Sequence, residues 1–252
     1  MSEGSLSTSL SLPPAFRPAV ADDARGALAT AATLAAGGAD PGTFVWARRN
    51  DAVDCAIVLA PEEPLIRSLR VAYVTMAAIG DALGTLIPPA VPVAFGWPDR
   101  ILVNGASAGG IRLLAQDPSM TEAVPDWMIT GFTLRLRPTS RRGEPGRQPA
   151  RTTLETEGCG DVAADALLEC FARHFLSWMN RWEDDGFAPV EAAWLARAAG
   201  YGPRNMGLEL GGRWAGRKLL GIDADGGAIF SEDGGETRVP LAVILAGPTW
   251  KI

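Results

Sequence analysis

The chain has 252 residues, 47% of them hydrophobic and 21% charged, enough apolar material for one large domain and a small one around a sizeable core. Its formal net charge of −6 and pI near 4.9 argue against sequence-independent binding to a nucleic-acid phosphate backbone and against an anionic membrane surface. The N-terminus lacks a basic region followed by an apolar core and no apolar run reaches about 18 residues, so neither a signal peptide nor a transmembrane helix is expected, and the cytoplasm is the default location.

Residues 1–12 are rich in Ser and Gly without periodicity and read as a mobile arm. Order is expected from Pro13-Pro14. Residues 21–37 are Ala-rich, with Asp22 and Asp23 in the first turn and Gly37-Gly38 at the end, the pattern of a helix. Residues 43–47 and 53–59 are apolar and β-branched, and the intervening Arg48-Arg49-Asn50-Asp51 makes the pair a hairpin. Residues 64–86 place Leu65, Leu69, Ala72, Met76, Ile79 and Leu83 at three- and four-residue spacing, which predicts one long helix covering a sheet. Pro88, Pro89 and Pro92 stop it.

The chain's most informative stretch follows, residues 95–114. It reads as an extended segment, a turn at Trp97-Pro98-Asp99-Arg100, a strand over 101–103, an Asn104-Gly105 turn and a return strand beginning at Gly109-Gly110. Asn-Gly between apolar runs signals a hairpin, because both central residues of a type I′ turn need positive φ. Two glycines in a strand mark either a bulge or the close approach of a ligand or another backbone. A polar connection over 117–125 and a strand over 127–136, interrupted by Gly131, come next. Residues 137–151 hold five arginines, three prolines and two glycines and read as a basic, solvated loop. A short helix is expected over 152–158, a long one over 161–186 capped by Asp161 with an apolar and aromatic core face, and another short helix over 189–199. A boundary falls at 200–203. Short apolar runs at 219–222, 228–230 and 238–241, separated by Gly/Asp turns, predict a small β barrel docked on the larger domain.

Three scattered cysteines, Cys55, Cys159 and Cys170, have no paired spacing for disulfides or zinc, so reduced thiols and no protein-bound metal cluster are expected. The single histidine, His174, sits in a helical stretch and reads as structural. The only lysines are Lys218 and Lys251, so cationic chemistry in the first 217 residues falls to arginine, which differs from lysine in reach, geometry and charge density.

Trp97-Pro98-Asp99, followed ten residues after the Trp by Ser107-Ala108-Gly109-Gly110-Ile111, resembles the biotin protein ligase pattern of Trp-Pro-Asn-Asp, then Lys, two small or apolar residues, Gly and Ile. The run from Arg181 through Trp182-Glu183-Asp184-Asp185-Gly186-Phe187-Ala188 to Pro189 resembles the end of that catalytic domain's last helix. The run from Leu220 to Ile229 resembles the SH3-like barrel that follows it. The resemblance covers most of residues 40 to 250 and is nearest to an uncharacterised biotin/lipoate ligase-like branch. It departs in four places: Ser107 stands at the position of the catalytic Lys, the turn reads Asp-Arg instead of Asn-Asp, the Gly/Arg-rich loop over the acyl-adenylate is missing, and the strand over 127–136 lacks the family's usual asparagine.

The expected fold is α+β, a mixed and largely antiparallel sheet covered on one side by helices, plus a small C-terminal SH3-like barrel, with domains at 13–203 and 204–252 after the 1–12 arm. The resemblance implies ATP and biotin or lipoate as cofactors, a small carboxylic ligand, an acceptor carrier domain as partner, and leaves a homodimer open. Arg48 and Arg49 would hold the charged groups, Trp97 and Pro98 would line the pocket, Asp99 and Ser107 would hydrogen-bond the ligand, and Gly109-Gly110 would admit it. Two readings stand: a ligase or acyltransferase for biotin, lipoate or octanoate, or a catalytically silent relative that binds a small carboxylate or adenylate-like ligand as a regulatory module.

Overall fold

The structure, a computed structural model, describes residues 10–21, 25–139, 150–202, 217–232 and 235–251. Outside them lie most of the expected arm, Asp22 and Asp23, the middle of the basic loop, and the start of the expected barrel. Strands β1 (Arg17–Val20), β2 (Thr43–Trp46), β3 (Ala52–Leu59), β4 (Val93–Gly96), β5 (Arg100–Val103), β6 (Ala106–Ala115) and β7 (Met128–Arg135) form one sheet in the order β1-β2-β3-β7-β6-β5-β4. β1 runs parallel to β2 and the other neighbours are antiparallel, so the sheet is mixed and largely antiparallel.

Helices α1 (Gly26–Ala36), α2 (Leu65–Ser68), α3 (Val71–Leu86), α4 (Ala164–Asp185) and α5 (Ala188–Leu195) cover it. One face carries α3 and α4 over the main core, where the Phe171 ring meets Phe132 edge-on at 4.7 Å. The opposite face, expected to be uncovered, is covered in part by α1, whose Ala27, Leu28, Ala31 and Ala35 pack on Val45, Ala56, Val58 and Ile129. Small alanines let that helix lie close, and it is what encloses the site described below. The segment Leu65–Leu86 is long and apolar enough to cross a membrane by length and composition, yet 72% of its apolar window is buried inside the protein, as in a core helix.

Several local boundaries differ from expectation for identifiable reasons. The long helix over 64–86 is broken, because Arg70, Ala72 and Tyr73 bond three residues back in a tight 3-10 step between α2 and α3. α1 begins at Gly26, and its first-turn anion is contributed from a distance, as shown below. Residues 152–158 form turns, with Thr153 Oγ1 accepting the Thr156 N–H at 3.1 Å in competition with helix. α4 starts at Ala164 without a side-chain cap, leaving Asp161 outside it. β6 begins at Ala106, three residues before the glycines, after a turn with φ of 51° at Asn104 and 81° at Gly105. β1 escaped notice because it is a four-residue edge strand with Pro18 inside it and no alternation. Leu10 is buried, and the Ser11 N–H bonds Glu169 Oε1 at 2.7 Å, so the described end of the arm is anchored.

At the C-terminus, β8 (Lys218–Ile222), β9 (Ala228–Glu232) and β10 (Gly235–Val239) form a three-stranded antiparallel sheet. Pro240 ends β10, so the strand expected over 238–241 stops early and a 3-10 helix, Leu241–Ala246, follows. This sheet docks on α3 and the central hairpin. Tyr73 Oη donates to the Gly226 carbonyl and accepts Trp97 Nε1–H at 3.0 Å, while Trp97 meets Phe230 edge-on at 5.7 Å.

Candidate active site on the α1 face of the sheet

Strand register brings Asp54, Thr133 and Gly110 into one row across β3, β7 and β6. Paired residues share a face of the sheet, and two hydrogen bonds show which face it is. Asp54 Oδ2 accepts the Ala27 N–H at 3.1 Å in the first turn of α1, and Oδ1 accepts the Thr133 hydroxyl at 3.2 Å. The buried carboxylate therefore satisfies an orphan amide of the helix and favours its positive end. The next row on this face is Ala56, Gly131 and Arg112.

The β6 glycines are explained by what approaches them. A Cβ at Gly109 would lie 2.0 Å from the Thr133 carbonyl oxygen, and one at Gly110 would lie 2.1 Å from the Asp99 carbonyl oxygen and 2.3 Å from Trp250 Nε1. The group seated over Gly110 is thus the C-terminal segment of the chain itself. Trp250 donates from Nε1 to the Ile111 carbonyl at 3.2 Å and is buried. Thr249 is held by both members of the Asp-Arg turn: its N–H and hydroxyl donate to the Asp99 carboxylate at 2.7 and 2.5 Å, and Arg100 Nε donates to its Oγ1 at 3.0 Å. Burial pushes the Asp99 carboxyl above its ordinary value, opposed by the Thr249 hydrogen bonds. A bulge between Ile101 and Leu102 accompanies these contacts.

Trp97 is fully buried between α3 and the C-terminal sheet, and Pro98 is buried in the turn beside it. Arg48 is exposed at the β2–β3 tip. Arg49 makes a two-pronged pair with Asp51, Nε to Oδ1 at 3.0 Å and Nη2 to Oδ2 at 2.7 Å. That pair raises the arginine and lowers the Asp51 carboxyl, in each case mainly through the hydrogen bonds. The tip lies against the end of β7, because the Asp51 carbonyl accepts the Leu136 N–H at 2.8 Å. Ser107 is buried, and among the described residues its hydroxyl reaches only the Gly109 carbonyl, at 3.4 Å. The structure thus brings Ser107, Gly109, Gly110 and Asp99 to one corner of the sheet. Among the described residues, no hydrogen bond or ion pair joins Arg48 or Arg49 to them.

Four residues of this region escaped the sequence reading. Asp54 had a signal, a lone carboxylate inside the apolar run of β3. Thr133 and Arg135 are ordinary at the end of a strand. Trp250 had none, since nothing local says that it folds back over Gly110. Arg135 donates from Nη2 to the Ser107 carbonyl and from Nε to the Ala108 carbonyl at 3.3 Å. Burial, followed by the neighbouring Arg151, pulls its pKa down to about 10. Lys218 is exposed on β8, and Lys251 directly follows Trp250. Among the described residues no group of three His, Cys, Asp or Glu side chains is placed to hold a metal ion, and the three cysteines are free and buried.

The described residues thus combine a mixed sheet, a glycine-bearing strand facing the N-terminus of α1, and a small C-terminal sheet. Residues 12–196 match the model of the biotin/lipoate A/B protein ligase family, and the chain belongs to that family. It is 30% identical over 191 residues to the biotin--[acetyl-CoA-carboxylase] ligase of Paracoccus denitrificans, covering 76% of this chain and 78% of that one. It is similar to a solved biotin protein ligase-like protein of unknown function from Silicibacter, with TM-score 0.82 and 31% identity over 94% of this chain and 99% of that one. The biotin protein ligase of Aquifex aeolicus in complex with biotin shares the fold at TM-score 0.65 and 16% identity, over 90% of this chain and 96% of that one.

Proposed function

We propose that this protein activates a small carboxylic cofactor, biotin, lipoate or octanoate, with ATP and passes the acyl group to an acceptor carrier domain. The observation that carries the reading is the Asp54–Thr133–Gly110 row beneath the α1 N-terminus in a chain of this family. The carboxylate oxygen of the cofactor attacks the α-phosphorus of ATP and pyrophosphate leaves; the acceptor amine then attacks the acyl carbon, loses a proton and releases AMP. Neither step requires a protein nucleophile, so catalysis falls to preorganised donors and cations around the developing charge. Further support comes from solved relatives of the same fold, an Aquifex aeolicus ligase holding biotin and ATP and a Leishmania major ligase holding biotinyl-5-AMP. A cytoplasmic setting belongs to the same proposal.

Two observations favour the second reading, a binding module without turnover: Ser107 replaces the catalytic lysine of the ligase pattern, and Trp250 sits over Gly110. ATP–pyrophosphate exchange with biotin, lipoate and octanoate in parallel separates the two. Acid-dependent exchange by the native chain establishes an adenylating enzyme and names its acid. Its absence for all three acids, with exchange gained by Ser107→Lys, leaves a binding module whose pocket is intact.

A further inference from the structure

Lysine is lacking throughout the large domain, and the Ser107 side chain carries no charge, so the cradle needs another cation if it is to hold an anionic ligand. Of the arginines nearby, Arg112 stands in the next row of the same face, away from the β6 bulge, and the others are committed or exposed. Arg49 is held by Asp51, Arg100 by Thr249, and Arg48 points from an exposed turn. Arg135 is different. It pairs in register with Ala52, two residues before Asp54, and follows Thr133 by two, so it extends from the face that carries the Asp54–Thr133–Gly110 row. Its guanidinium lies along the β6 bulge, where Nη2 and Nε bond the carbonyls of Ser107 and Ala108. Those acceptors fix its plane while bringing no formal negative charge, and among the described residues no carboxylate pairs with it.

A half-buried cation without a counter-charge is costly, and a second cation, Arg151, raises that cost. Arg151 is brought there by the chain itself, since Ser107 and Arg151 form an isolated β-bridge. An anion seated beside Arg135 would turn this repulsion into attraction. Among the described residues the Nη1 amino group and the second Nη2 hydrogen meet no acceptor, and they form a planar pair suited to two oxygens of a phosphate.

We propose that Arg135 is the phosphate-binding cation of this site, supplying from the neighbouring strand, over Ser107, the charge that a lysine at position 107 would have brought. Its ligand is a phosphoryl oxyanion, a pyrophosphate or the phosphate of an adenylate. The adenylate identity rests on the ligase reading above, whereas the anion site stands apart from it.

The test is calorimetric titration of the full chain with pyrophosphate and with ATP at several salt concentrations, for the native protein, Arg135→Gln, Arg135→Lys and Lys251→Ala, with thermal melting of each to confirm folding. Arg135→Gln is expected to weaken pyrophosphate binding by about tenfold or more, the loss of a charge-assisted hydrogen bond. It is also expected to make the salt dependence shallower, which a loss of mere bulge geometry does not do. Arg135→Lys keeps the charge without the fork, so it binds more weakly than the native chain with the native salt dependence, and it carries the test if Arg135→Gln does not fold. No pyrophosphate binding by the native chain, equal binding by Arg135→Gln, or a loss confined to Lys251→Ala overturns the proposal. Acid-dependent exchange that survives in Arg135→Gln likewise removes the role of Arg135 and leaves the ligase reading standing. Pyrophosphate binding through Arg135 with no exchange for any acid leaves the anion site and removes the ligase reading.

Discussion

Gly110→Ala tests the packing of the candidate site most directly. The added methyl carbon would stand 2.1 Å from the Asp99 carbonyl oxygen and 2.3 and 2.6 Å from Nε1 and Cδ1 of Trp250. The first contact is to backbone within the hairpin, where the Asp99 carbonyl also accepts the Ile111 N–H at 2.8 Å, so it cannot be relieved by a rotamer. The second can be relieved only by expelling Trp250. Overpacking costs about 1–3 kcal/mol, and loss of a buried Trp costs about 3–5 kcal/mol when it is replaced by Ala. Gly110→Ala should therefore destabilise the protein by about 3–5 kcal/mol, near the cost of Trp250→Ala. The double variant should fall short of the sum by about 1–2 kcal/mol, because once the indole is gone only the backbone clash remains. Urea unfolding followed by tryptophan fluorescence and far-UV dichroism, at constant m, gives all three values. A Gly110→Ala variant within about 0.5 kcal/mol of native, or strict additivity in the pair, would refute the placement of Trp250 over Gly110.

The same substitution elsewhere should have the opposite sign: Gly84 is exposed in α3 with nothing within 4 Å of a Cβ, so Gly84→Ala should stabilise by about 0.5–1 kcal/mol in the same urea titration. Tyr73→Phe removes the acceptor of Trp97 Nε1–H and the donor to the Gly226 carbonyl. It should cost about 1–3 kcal/mol and lower amide-exchange protection in β8 and β9 more than in β3. For Asp99→Asn the expectation is a change in pH dependence. Burial raises the folded carboxyl above its unfolded value of 3.8, so its contribution is fully present below that value and is lost as pH rises through the folded value. The variant, which cannot ionise there, should therefore gain stability relative to the native chain on going from acid to neutral pH. Urea midpoints of both proteins at matched pH read this, and a pH-independent difference would sink the assignment.

Much of the architecture was legible because it rests on local chemistry. Asn104-Gly105 specifies its turn through two positive φ angles, and the prolines at 88, 89 and 92 stop α3 whatever packs around it. The α+β order of hairpin, helix and hairpin follows from hydrophobic period alone. The misplaced boundaries are the ones that local signals leave weak. The 3-10 step at Leu69–Arg70 interrupts a pattern that reads as continuous, and the α1 N-terminus takes its anion from Asp54, 27 residues away.

For the site, the sequence by itself determined the ingredients: a glycine strand, an Asp-Arg turn, a serine two residues before the glycines, and almost no lysine. Their partners were decided by tertiary structure. Asp99 and Arg100 hold Thr249 from about 150 residues away in the chain, Trp250 fills the space over Gly110, and Arg135 reaches Ser107 only because β7 pairs with β6. A residue's conformational and charge preferences are local and travel with the sequence. Which backbone approaches a glycine, and which carbonyl meets an arginine, is set by strand register and chain closure, and these are settled only when the whole sheet is assembled.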